Sequence, residues 1–127
     1  MVRLGAGSAE RDSMSAENIH NWIDQQVKAN DVVLFMKGTK SFPQCGFSGR
    51  LVQILDYLGI DYKDINVLED MGLREGIKTY TNWPTIPQLY VKGEFVGGCD
   101  IVSEMFQSGE LETLFDERGV QFSKAVA

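Results

Sequence analysis

The stretch Val32-Val33-Leu34-Phe35-Met36-Lys37-Gly38-Thr39-Lys40-Ser41-Phe42-Pro43-Gln44-Cys45-Gly46-Phe47-Ser48 decides the fold. Its first five residues are apolar without alternation. Such a run reads as a strand buried on both faces, the pattern of a parallel sheet covered by helices. Lys37 to Gln44, with Gly38 and Pro43, reads as a loop. A helix follows from about Phe47 to Leu58 on the spacing of Leu51, Val52, Ile54, Leu55 and Leu58, and Gly59 is placed to end it.

Upstream, Ser15 is placed to cap a helix running to about Ala29, with Ile19, Trp22, Ile23 and Val27 on one face. Downstream, Tyr62 to Val67 reads as a second strand, Met71 to Tyr80 as a crossover helix and Ile86 to Val91 as a third strand. Lys92-Gly93-Glu94 reads as a hairpin turn into a fourth strand around Phe95-Val96. Asp100 onward is helical, with a break at Ser108-Gly109, a last helix to about Arg118 and a weakly structured tail after Gly119. Two strands joined by a helix are expected to run parallel with a right-handed crossover, and a terminal hairpin adds antiparallel strands. The fold class is α/β: a mixed four-stranded sheet with helices on both faces.

The 127 residues, 43% of them hydrophobic and 24% charged, suit one domain with a single core. That domain is expected over residues 14–119, with a flexible tail at 120–127. Residues 1–13 lack an apolar pattern and read as a disordered extension, either a vector remnant or a shortened targeting segment. No apolar run reaches the ~20 residues of a membrane span, so no membrane partner is expected. A net charge of −6 argues against nucleic acid. Two cysteines, Cys45 and Cys99, and one histidine, His20, fit a reducing compartment better than a disulfide scaffold. One chain cannot supply the four soft ligands of a closed metal site, so any such centre takes ligands from outside.

Cys45 lies where a loop meets a helix N-terminus, whose free N–H groups and dipole favour a thiolate. Lys37 adds a positive charge nearby. Two readings stand: a reactive thiolate, or a small buried hydrophobe. A dithiol oxidoreductase carries its second cysteine three places on, where this chain has Ser48. A single thiol must use an external thiol or do other work. Thr85-Ile86-Pro87 opens a strand with a proline; a cis bond there would present the Ile86 backbone to a pocket, where an extended peptide pairs with it. Gly97-Gly98-Cys99-Asp100 lets a backbone approach a ligand at a helix N-terminus. Asp100 is open to two roles, helix cap and partner of a ligand ammonium. Arg74 and Lys78 share a helix face, either solvated or holding a carboxylate.

Lys37-Gly38-Thr39, Pro43, Cys45-Gly46-Phe47-Ser48, Trp83-Pro84-Thr85-Ile86-Pro87 and Gly97-Gly98-Cys99-Asp100 together resemble the monothiol, CGFS-type glutaredoxins, over roughly Ser15 to Gly119. The single-domain length resembles the short bacterial or mitochondrial members. The resemblance implies a thioredoxin fold with a cis Pro87, and Cys45 as the glutathionylated or cluster-ligating thiol. It implies a glutathione site of Lys37, Arg74, Lys78, the Ile86 backbone, Cys99 and Asp100. A [2Fe-2S] cluster wants four thiolates. Cys45 from two chains and two glutathione thiols complete the set, which implies a homodimer when loaded and a monomer when empty. Three functions follow as expectations. The first is a carrier passing the cluster to iron–sulfur acceptor or scaffold proteins. The second is a glutathione-dependent oxidoreductase using one cysteine. The third is a module presenting a cluster to a partner. The expected location is bacterial cytoplasm or, alternatively, the mitochondrial matrix.

Overall fold

A computed structural model describes residues 16–124. The Ser15 cap and the extension at 1–13 lie outside the described residues. In chain order the elements are α1 (Ala16–Ala29), β1 (Val32–Met36), α2 (Gly46–Tyr57), β2 (Lys63–Asn66), a short 3-10 turn (Val67–Glu69), α3 (Met71–Thr81), β3 (Gln88–Val91), β4 (Glu94–Gly97), α4 (Cys99–Ser108) and α5 (Glu110–Glu117). The sheet order is β2-β1-β3-β4, mixed and four-stranded.

The apolar run of β1 is fully buried. Its side chains divide between two cores, as the two-residue period of a strand requires. Val32, Leu34 and Met36 pack with Leu51, Leu55, Val102, Leu111 and Phe115 of α2, α4 and α5. Val33 and Phe35 pack with Ile19, Ile23 and Val27 of α1 and Leu73 and Ile77 of α3. Helices therefore cover both faces, which is why β1 shows no polar alternation.

One expectation is corrected. β1 and β2 are parallel, with Phe35 opposite Ile65. β3 runs antiparallel to β1, with Val32 opposite Val91 and Phe35 opposite Gln88, although a helix joins it to β2. The parallel-crossover rule applies where the chain is carried back to the far end of the sheet. Here β2 leaves the sheet beside Met36 and β3 re-enters beside Phe35, so residues 67–87 start and finish at the same end. The hairpin turn is two residues, Lys92 and Gly93, both at positive φ, and Glu94 already belongs to β4.

The tail is also better anchored than its sequence suggests. Val120 is buried, Phe122 packs on the core, and the Ser123 N–H donates to the Leu58 carbonyl at 2.7 Å. That bond seats the tail over Gly59, where a side chain would meet the Ser123 carbonyl at 2.7 Å and where φ is +64°. A weakly structured tail was expected because no periodic pattern continues past Gly119. The contacts that hold it come from three residues: Val120 and Phe122 against Phe115, and Ser123 against the end of α2.

Helices α1 and α3 touch through Gly76, where a Cβ would overlap the Cγ2 of Ile19. Alanine is the better helix former by about 1 kcal/mol. Ile19 is β-branched, stiff and buried, so it cannot yield cheaply, and overpacking costs ~1–3 kcal/mol. Gly76→Ala is expected to lower stability by about 1 kcal/mol net, read from the urea midpoint at unchanged m-value.

Candidate functional site

The site lies at the sheet end where β1 and β2 finish and β3 begins. Gly38, at φ +90°, turns the chain out of β1. A Cβ there would sit 2.5 Å from the Phe42 carbonyl, so the turn requires glycine. The Gly38 N–H donates to Asn66 Oδ1 at 2.9 Å, tying the loop to β2. The Gln44 N–H donates to the Lys37 carbonyl at 2.9 Å, which brings the chain back to the strand end just before Cys45.

Cys45 is the N-cap residue of α2, in extended conformation. Its sulfur is partly exposed and is a free thiol, as is that of Cys99. The neutral thiol makes no capping hydrogen bond. The thiolate is favoured: its pKa is held below the ordinary thiol value first by the Ser48 N–H, against a desolvation cost, with help from the Phe47 N–H, the Lys37 charge and the Ser48 hydroxyl. Ser48 itself is fully buried, and its oxygen accepts from the Lys37 N–H at 3.0 Å. The residue standing in the place of a second thiol thus links the end of β1 to the start of α2.

Beside this thiol runs a cleft of about 390 Å³ walled by Lys37 and Phe47 on one side, Arg74 and Lys78 of α3 behind, the Trp83–Pro87 loop, and Gly98 to Ile101 at the start of α4. All of Lys37, Arg74, Lys78, Ile86, Cys99 and Asp100 line it. Cys45 does not line it. The thiol opens into a shallower adjoining hollow with Arg50, Cys99, Asp100 and Ser103, and the two spaces meet along Phe47, Cys99 and Asp100. The Ile86–Pro87 bond is cis, and β3 begins only at Gln88, so the Ile86 main chain lies outside the ladder.

Three details differ from the sequence reading. Gly98, not Asp100, is the N-cap of α4; Asp100 is exposed in the first turn with no capping bond, where the helix dipole favours its charge. Lys78 is not an open charge: its Nζ lies 3.6 Å from Glu75. The protein's own packing bears on the glycine pair: a Cβ on Gly97 would clash with Ile101 at 2.7 Å, and one on Gly98 would crowd the Pro87 carbonyl at 3.2 Å. Sequence reasoning also passed over Phe47, Trp83, Thr85 and Arg50 as lining residues. The first three sat inside recognised motifs and nothing marked their direction. Arg50 lines the same hollow as Cys45, and its Nε donates to Ser103 at 3.2 Å.

A sheet of this order, with a cis proline before β3 and a cysteine capping α2, is a thioredoxin fold. The glutaredoxin family model matches residues 32–96. The Rickettsia typhi protein named probable monothiol glutaredoxin 2 is 57% identical over 96 residues, 76% of this chain and 86% of that protein. A monothiol glutaredoxin of Synechocystis is 60% identical over 94 residues, 74% of this chain and 88% of its own length. The solution structure of a reduced apo glutaredoxin from poplar superposes with a TM-score of 0.74 at 49% identity, covering 83% of this chain and 97% of that one. A buckwheat glutaredoxin–glutathione complex matches with a TM-score of 0.74 at 26% identity, over 84% and 94% of the two chains. The chain belongs to the glutaredoxin family, among its monothiol members.

The electrostatics set a pH profile. Alkylation by iodoacetamide follows the thiolate fraction, so in a Cys99→Ser background its midpoint is expected below the ordinary thiol value. Lys37→Met is expected to move the midpoint upward but not back to that value, because the Ser48 and Phe47 amides remain. A midpoint at the free-cysteine value in the parent protein contradicts the amide-stabilised thiolate.

Proposed function

We propose that this chain carries a [2Fe-2S] cluster held jointly with glutathione and passes it to acceptor proteins in iron–sulfur cluster assembly. The observation that carries the reading is the single thiolate-favouring Cys45, with buried Ser48 in the second-thiol position, beside a cleft of matching charge.

The cleft suits glutathione group by group. The tripeptide has carboxylates at both ends, an ammonium at one, and an extended backbone between. Lys37, Arg74 and Lys78 suit the glycine-end carboxylate, and the free Ile86 main chain suits pairing with the cysteinyl unit by strand-like hydrogen bonds. The Gly98–Asp100 helix start suits the other end, with main-chain N–H groups for the carboxylate and Asp100 for the ammonium. The buckwheat complex has glutathione bound to a glutaredoxin of the same fold, which supports this placement.

The donor set suits a shared cluster. Among the described residues no three His, Cys, Asp or Glu side chains gather as a metal site. Cys45 offers one thiolate at the surface. Two chains with two glutathione thiols make the four that a [2Fe-2S] cluster takes, so the loaded form is a homodimer and the empty form a monomer. Ligands that dissociate suit delivery. Two thiols that must stay reduced suit a bacterial cytoplasm or a mitochondrial matrix.

The same thiolate favours a second reading, removal of glutathione from protein mixed disulfides. The Cys45 sulfur attacks the glutathionyl sulfur, a Cys45–glutathione disulfide forms, and the protein thiolate leaves. A second glutathione thiolate then attacks that disulfide, releasing Cys45 and oxidised glutathione. Ser48 excludes a local disulfide, so both electrons come from glutathione.

Anaerobic reconstitution with iron, sulfide and glutathione separates these readings. The parent protein and Cys99→Ser are expected to turn brown and dimeric, and Cys45→Ser to stay colourless. A brown, dimeric Cys45→Ser protein overturns the ligand assignment. Loss of colour in Cys99→Ser overturns the role of that residue as a cleft wall. Turnover of mixed disulfides with no colour selects the second reading.

Removing glutathione by dialysis is expected to strip the cluster even with Cys45 intact. A charge-assisted contact contributes ~1.5–3 kcal/mol, so Lys37→Ala and Arg74→Ala are expected to weaken glutathione binding about ten- to hundredfold and shorten cluster half-life. Lys78→Ala is expected to do less, because Glu75 already draws on that charge. A cluster that persists without glutathione, with Lys37→Ala indifferent, points to another ligand source.

A further inference from the structure

We infer that Gln88 is a positioning residue for the peptide ligand: its buried amide sets the Trp83–Pro87 loop that offers the Ile86 main chain to the cleft. The inference rests on the reading of that cleft as a glutathione site.

Gln88 is fully buried, at the first position of β3, between Pro87 and Leu89. A buried amide costs stability unless both of its ends are satisfied. Here they are satisfied by two different parts of the molecule. Its Nε2 donates to the Trp83 and Thr85 carbonyls, each at 3.2 Å. Both carbonyls belong to the cleft loop and flank Pro84, immediately before Ile86. Its Oε1 accepts from the Tyr90 hydroxyl at 3.0 Å, on the same strand. The Thr81 hydroxyl, at the end of α3, lies 3.0 Å from Oε1 and 2.8 Å from the Ile77 carbonyl, and shares its one proton between them. The orientation of the amide is fixed by these partners, because the reverse would set an oxygen against two carbonyls.

The side chain therefore has a scaffold half and a loop half. The scaffold half is held by the end of α3 and by a rigid aromatic block in which Tyr90 packs on Phe35 and Phe95, each with ring centroids 5.5 Å apart. The loop half grips a segment that has no ladder of its own until β3 begins. Trp83 packs on Phe95, 5.5 Å between centroids, but Pro84 and Thr85 are exposed and have no core contact to fix them. The Trp83 N–H donates to the Lys78 carbonyl and the Ile86 side chain is buried in the core, so the loop is pinned at both ends, and the Gln88 donors fix the Trp83 and Thr85 carbonyls between those pins. Gln88 itself does not line the cleft, so it touches no ligand and acts only through the loop.

The two halves are separable by substitution. Gln88→Glu keeps the shape and the acceptor for Tyr90 and loses both donors to the loop when ionised. Gln88→Met is neutral, of similar length, and keeps the test alive where a buried carboxyl prevents folding. Phe115→Leu, in the core on the opposite face of the sheet, is the control for lost stability alone. Glutathione affinity is measured by NMR titration of the reduced, cluster-free protein, with the Ile86 amide shift followed and folding checked by thermal melting.

Parent protein and Phe115→Leu are expected to bind glutathione with equal affinity, although Phe115→Leu melts earlier. Folded Gln88→Glu or Gln88→Met is expected to bind about tenfold more weakly, equivalent to ~1.4 kcal/mol, with a displaced Ile86 resonance before ligand is added. A folded Gln88 variant that binds within twofold of the parent overturns the positioning role and leaves Gln88 a buried structural amide. Failure of the parent itself to bind glutathione at the Ile86 loop overturns the cleft reading instead, and the two failures are told apart by which protein shows them.

Discussion

The antiparallel pairing of β1 with β3 is the constraint on which the site depends. It places the end of β1 and the start of β3 side by side, with Phe35 opposite Gln88. Everything that leaves β2 must then come back to the end it left. That detour contains α3 with Arg74 and Lys78, and the loop with Ile86. The outgoing chain from β1 carries Lys37 and, after the Gly38 turn, Cys45. A parallel β3 would have entered at the far end of the sheet and left Cys45 with no facing wall. Strand direction, a property of the whole sheet, thus decides whether these charges meet at all.

The chemistry of Cys45 follows from the same junction. Partial burial alone would favour the neutral thiol. The opposing effect wins because it comes mainly from main-chain amides at the start of α2, which are rigid and already oriented. Lys37 contributes less, and its charge sits on a long side chain. The protein as a whole is acidic, with a net charge of −6, so the cations around the cleft are a local arrangement. Lys37 leaves the end of β1 while Arg74 and Lys78 sit one turn apart on α3, and the fold gathers the two segments.

This explains what was legible in the sequence. The five-residue apolar run announced β1 because a strand buried on both faces has no choice of side chain. The helix after Cys45 was legible from the 3.6-residue spacing of Leu51, Leu55 and Leu58. Lys37, Ile86, Cys99 and Asp100 were legible through motifs in register, and Arg74 and Lys78 through their four-residue spacing on one helix face. What was not legible is relational. No periodicity in Ile86 to Val91 states which way the strand runs. Asp100 has the chemistry of a cap, but Gly98 takes that position because the helix starts at Cys99, two residues earlier than a cap at Asp100 requires. The tail looks like a frayed end because its partners, Phe115 for Val120 and Phe122 and Leu58 for Ser123, are fixed by the fold and not by any pattern within the tail. Gln88 reads as one polar residue at a strand start; only the fold shows four groups converging on it.

Ser48 shows how closely the single-thiol character is tied to the architecture. Its oxygen accepts from the Lys37 N–H, and its hydroxyl helps to hold the Cys45 thiol below the ordinary value. One hydroxyl has the donor and the acceptor for both tasks. A thiol is a weak donor and a weak acceptor, so a cysteine at this place would loosen the joint between β1 and α2 while removing a donor from the thiolate it was meant to resolve. In this chain the position holds Cys45 in place and supplies no second thiol. A nucleophile held in this way, with serine in the second-thiol position, lies beside the cleft that the returning segment has built.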